Sequence, residues 1–145
     1  MSMKKLGFIM LAFLLLIGTI FTDSSVAQTN EPAKQVKKST PTEVYYFHFT
    51  RRCTTCQTVE KVAEQAVNEF FPEAVKRGDV FFKSVNIEEK ENEDLVKRLK
   101  VEGQSLLIVN GKDQINIVDK GFMYAVNEPD KLKAEVKANI EKFVK

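Results

Sequence analysis

The sequence predicts an α/β domain with a mixed sheet flanked by helices, on three observations. Short runs rich in aromatic and β-branched residues alternate with stretches whose apolar residues recur at helical spacing. The segments follow one another as strand, helix, strand, helix, strand, strand, helix. The last two strands are joined through Asn110-Gly111, a strong hairpin signal. A strand, a crossover helix and a strand imply a parallel pair, whereas a hairpin is antiparallel, so the sheet combines both.

The first strand is "EVYYFHF", Glu43 to Phe49, a short aromatic run that ends at a polar cluster. The helix after Cys56 carries Val59, Val62, Ala63, Ala66, Val67 and Phe70 on one face, a stripe that reads as core. Pro72 interrupts it, and "PEAVKRG" reads as a short further piece of helix, with proline at its first position and Gly78 as a left-handed cap. "DVFFKSVNI", Asp79 to Ile87, is the second strand. In "EEKENEDLVKRLKVEG" the acids lie at the start and Lys97, Arg98 and Lys100 near the end, as the helix dipole favours. "SLLIV" and "QINIV" flank "NGKD" as a hairpin with a type I′ turn, which needs positive φ at both central residues. Gly121 closes this region, and "NEPDKLKAEVKANIEKFVK" is a final amphipathic helix with Leu132, Val136, Ile140 and Phe143 or Val144 inward.

Ahead of the domain, Lys4 and Lys5 precede an apolar stretch from Leu6 to Phe21, and Ser25-Val26-Ala27 fits a small-x-small cleavage site. Residues 1–27 are therefore expected to be a signal peptide. An uncleaved anchor is the alternative, but sixteen helical residues span roughly 24 Å against a hydrocarbon core of about 30 Å. The expected location is exported, periplasmic or extracellular, and membrane-anchored if the leader is retained. The segment 28–42 is polar, carries Pro32 and Pro41 and lacks apolar periodicity, so it is expected to be a flexible linker. The domain then runs over residues 43–145.

The chain holds 22 Lys and Arg against 20 Asp and Glu. Lys4, Lys5 and Asp23 fall in the leader, so the remainder carries a net charge near +1. Without a basic excess or a basic stripe interleaved with aromatics, the electrostatic footprint of a nucleic-acid binder is missing.

Cys53 and Cys56 are the two cysteines, in "FTRRCTTCQTVE". In an extended strand, residues three apart lie roughly 10 Å from one another on opposite faces. In the first turn of a helix they lie about 5 to 6 Å apart on one face, within disulfide reach. At a helix N-terminus, unpaired backbone N–H groups and the positive end of the dipole favour a Cys53 thiolate, with Arg51 and Arg52 beside it as further support. Cys56, in line with Val59, is then the resolving thiol. An inert crosslink is the bland alternative, but closing so short a loop gains little. Two thiolates at this spacing also suit a soft ion such as Cu(I). A closed zinc site needs two further ligands, and the chain has a single His and no Met near the pair.

From Val44 to Lys145 the chain resembles the thioredoxin-like proteins: a strand, C-x-x-C at a helix start, "FKSVNIEEKENEDLVKRLKVEG" as the next strand and helix, a hairpin with Asn-Gly and a terminal helix. The resemblance implies a three-layer thioredoxin-like fold and thiol–disulfide exchange, with Cys53 attacking and Cys56 resolving a mixed disulfide. It implies disulfide-bearing proteins as substrates and, for an exported member, a membrane thiol donor. No cofactor is expected, and the chain has no domain of its own for taking electrons from a nicotinamide. Four places depart from the family pattern. Arg52 stands where thioredoxins have an aromatic residue, and Phe47 stands where they bury an acid. Gln104 or Ser105 occupies the place of the cis-proline that faces the cysteines, and Thr54-Thr55 replaces Gly-Pro, Pro-His or Gly-His between them. His48, next to Phe47 on the strand, points to the opposite face and is expected to be structural.

Overall fold

The structure is a computed structural model that describes residues 40–144. The expected signal peptide and the linker up to residue 39 lie outside the described residues. Strand β1, Thr42–His48, occupies the centre of a four-stranded sheet. It is followed by helices α1, Thr54–Phe70, and α2, Pro72–Arg77. Strand β2, Val80–Asn86, leads through one 3-10 turn, Lys90–Asn92, into helix α3, Glu93–Arg98. Strands β3, Ser105–Asn110, and β4, Asp113–Asn116, precede helices α4, Val118–Tyr124, and α5, Pro129–Ile140. The strand order is β2-β1-β3-β4, with β1 parallel to β2 and antiparallel to β3. This mixed sheet flanked by helices is a thioredoxin-like α/β arrangement.

The core lies in two layers, one on each face of the sheet. On one face Val44, Leu106 and Ile108 meet the α1 stripe, Val59, Ala63 and Val67, and the α5 residues Leu132, Val136 and Ile140. On the other, Tyr45, Phe47, Val85, Leu107 and Val109 pack with Leu99, just past the end of α3. A central strand covered on both faces must be apolar at nearly every position, which accounts for the unbroken run in β1.

Local signals terminate the elements where the sequence places them. Pro72 cannot continue α1 but suits the first turn of α2, and Gly78, at φ 75°, ends α2 with its N–H directed to Ala74 and Val75 carbonyls. Asn110 ties the chain ahead of β1 to β3, donating from Nδ2 to the Thr40 carbonyl at 2.9 Å and the Thr42 hydroxyl at 3.1 Å. Thr42 is buried at the start of β1.

Two features of the hairpin region differ from the sequence expectation. Asn110 pairs with Asp113, so the central turn residues are Gly111 and Lys112 rather than Asn110 and Gly111. Positive φ is found at Gly111, 63°, and not at Lys112. Glycine at the first central position is the signature of a type II′ turn. The second difference is that "QINIV" does not remain extended. The Asn116 side-chain carbonyl accepts from the Val118 N–H at 3.0 Å, turning the chain into α4. Gly121 thus lies inside a helix, where α4 comes against Val59 of α1 and Leu106 of β3.

Candidate functional site

Cys53 and Cys56 are joined as a disulfide, with Cα atoms 5.2 Å apart. Cys53 is the N-cap of α1, in extended conformation (φ −78°, ψ 163°), and its sulfur accepts from the Cys56 N–H at 3.2 Å. Cys53 is exposed, while Cys56, one turn in, is 5% exposed and continues the buried stripe through Val59. One cysteine is exposed and the other is buried. The first turn of α1 carries no acidic residue, so nothing there offsets the positive end of a seventeen-residue helix at the Cys53 sulfur.

The loop before Cys53 is braced against the turn after β2. The Thr50 N–H donates to Glu88 Oε2 at 2.8 Å, and Asn86 Nδ2 donates to the Thr50 hydroxyl at 3.0 Å. Hydrogen bonds from the Thr50 hydroxyl and then its backbone N–H hold the Glu88 carboxyl below its ordinary value. The Ile87 N–H closes the end of the sheet on the His48 carbonyl at 2.9 Å. These contacts fix how the chain enters α1, and with it the exposure of Cys53.

The two arginines part company. Arg51 is exposed, whereas the Arg52 guanidinium binds the Glu60 carboxylate, with side chains 23% and 20% exposed. Arg52 thereby spends its charge on a partner two turns into α1. Gln104 and Ser105 stand at the start of β3, at the same end of the sheet as the cysteine loop. Ser105 is buried opposite Phe47, donating to the Gly103 carbonyl at 3.2 Å and accepting from Asn116 Nδ2 at 3.4 Å.

Phe47 belongs to the layer on the α3 side, so its side chain points away from α1. The face that carries Cys56 is instead that of Tyr46 and His48, whose rings stack at 6.1 Å. His48 Nδ1 donates to the Phe49 carbonyl at 2.8 Å. Tyr46 is fully buried, and burial first of all pushes its hydroxyl up to about 12, with the Arg52 charge lowering it and the Glu60 charge raising it. Its hydroxyl and that of Ser84, its neighbour across β1 and β2, find no hydrogen-bond partner among the described residues. Tyr46→Phe deletes no hydrogen bond to a described residue and keeps the ring. It should leave stability unchanged or raise it by up to about 1 kcal/mol in urea unfolding, and a loss above that would show that the hydroxyl is bonded.

Sequence reasoning did not single out Tyr46 or Glu60. The available signals were the spacing of four between Cys56 and Glu60, which puts them on one helical face, and the alternation that separates Tyr46 from Phe47.

Among the described residues, no group of three or more His, Cys, Asp or Glu side chains is placed to hold a metal ion. Also among them, no helix is long and apolar enough to cross a membrane. No protein-family model matches the chain. No curated protein matches it. A solved structure described as "Structure of a malarial protein" is similar to 53% of this chain and 79% of that chain, at 14% identity and a TM-score of 0.39. A likeness of that size carries no argument.

Proposed function

We propose that this protein is an extracytoplasmic thiol–disulfide oxidoreductase or electron relay of the thioredoxin-like family, with Cys53 as nucleophile and Cys56 as resolving thiol. The observation that carries this reading is the asymmetry of the bridge: an exposed cysteine at the N-cap of α1 and a buried one a turn further in. An inert crosslink has no need of that arrangement, whereas exchange needs one thiol that substrate reaches and one that only the mixed disulfide meets.

In the reducing direction, the Cys53 thiolate attacks a substrate disulfide, forming a mixed disulfide and expelling one substrate thiolate. Cys56 loses its proton and attacks the Cys53 sulfur, the Cys53–Cys56 bond forms, and the second substrate thiolate leaves. Two electrons pass from the protein dithiol to the substrate, and the oxidising direction is the reverse. The α1 dipole and Arg51 support the Cys53 thiolate, while the Arg52 charge is largely offset by Glu60. Disulfide-bearing proteins are the proposed substrates. The leader-like sequence over residues 1–27 supports an exported location, where a membrane thiol donor would return the pair to the dithiol.

Cys56→Ser should trap substrate proteins on Cys53 as mixed disulfides that survive non-reducing electrophoresis and vanish with dithiothreitol. If Cys56→Ser, reduced and offered a disulfide-bonded protein, forms no adduct, the exchange reading is wrong.

A further inference from the structure

Exchange requires that the shielded Cys56 thiol give up a proton, and the strand residue that would present a carboxylate, Phe47, is apolar and faces away from α1. Glu60 lies one turn beyond Cys56 on α1, where side chains are about 5–6 Å apart at Cβ. Helical side chains also lean toward the N-terminus, so Glu60 leans back over the turn that holds Cys56. Its carboxylate reaches far enough back to bind Arg52, the residue immediately before Cys53, and the pair is four-fifths buried. A half-withdrawn carboxylate is thus anchored alongside the disulfide turn by a cation covalently adjacent to the nucleophile.

We propose that Glu60, positioned by Arg52, is the proton acceptor for Cys56. This inference rests on the exchange reading and assigns a step within it. In resolution of the mixed disulfide, the Cys56 S–H proton passes to a Glu60 carboxylate oxygen. The freed thiolate attacks the Cys53 sulfur and the substrate thiolate leaves. Glu60 then returns its proton to that thiolate or to water. Arg52 from the loop and Tyr46 from β1 act on or are felt by Glu60, and Cys56 and Glu64 lie one turn to either side of it on α1. Tyr46 is held protonated by burial, so it neither competes for the proton at neutral pH nor adds charge.

Reaction of the reduced protein with dithiobis(nitrobenzoate) in stopped flow separates the steps. The first thionitrobenzoate released reports attack by Cys53, and the second reports resolution by Cys56. Glu60→Gln should leave the first phase within about threefold and slow the second at pH 7 by about a hundredfold, the scale of general base catalysis. In the variant the second phase should rise about tenfold per pH unit toward the range of a free thiol, about 8.5, whereas in the unaltered protein it should change little between pH 6 and 8. Arg52→Gln keeps the carboxylate but removes the partner that anchors it beside Cys56, so the second phase should slow in this variant as well. A second phase that keeps its pH profile in Glu60→Gln overturns the assignment, even if its rate falls. If the unaltered reduced protein gives no first phase, the exchange reading itself fails; a first phase with an unaffected second phase in Glu60→Gln removes Glu60 alone.

Discussion

Cys53→Ser should reduce turnover of a protein disulfide to the uncatalysed rate while leaving the fold intact. The thiolate is the attacking species in exchange, and a serine hydroxyl cannot replace it at neutral pH. The residue is exposed, and its structural contributions are the N-cap contact to the Cys56 N–H and the bridge itself. Serine is a good N-cap, so the first is retained. The bridge closes a loop with a sequence separation of 3, for which the chain-entropy relation allows about 2 kcal/mol. Urea unfolding alongside the turnover assay separates the effects: activity at background with stability lowered by no more than about 2 kcal/mol is the expected pair of results. Retained turnover in Cys53→Ser would exclude it as the nucleophile.

Gly121→Ala should destabilise the protein, although glycine to alanine inside a helix is ordinarily favourable by about 1 kcal/mol. A Cβ at position 121 would lie 2.9 Å from Val59 Cγ1, 3.6 Å from Val59 Cγ2 and 3.8 Å from Leu106 Cδ2. Val59 is fully buried and its β-branched side chain has one strongly preferred rotamer in a helix, so it cannot swing clear. Relief must come from moving α4 off α1, and overpacking of this kind costs about 1–3 kcal/mol. The clash outweighs the propensity gain, for a net loss of up to about 2 kcal/mol in urea unfolding. Because Val59 is less than a turn from Cys56, the substitution should also speed alkylation of the reduced Cys56. A variant as stable as the unaltered protein would mean that α4 does not approach α1 this closely.

The strands, α1, α5 and the cysteine junction were legible in the sequence because each is governed by a repeating apolar pattern with a clear punctuating residue. The i, i+3, i+4 stripe through Val59 and Val67 specified which side of α1 is buried, and that alone placed Cys56 inward. Gly121 was less transparent, since a glycine chosen for close helix approach looks the same as one chosen for a turn. Asn116 was equally ambiguous, because its cap on Val118 exists only once the chain has left β4. Alternation along β1 separates Tyr46 from Phe47, but which of the two faces α1 is decided by how the crossover helix lands on the sheet. Glu60 was not singled out because its partner, Arg52, is brought to it only by the path of the loop. The packing pattern was local, and the polar arrangement around the cysteines was tertiary.

The reduction potential of the Cys53–Cys56 pair, measured by equilibration with glutathione or dithiothreitol buffers, tests the central claim most directly. A pair that cycles in exchange should lie between about −300 and −120 mV, within the range spanned by thiol–disulfide oxidoreductases. A value below about −300 mV, the range of structural bridges, would contradict the proposed function.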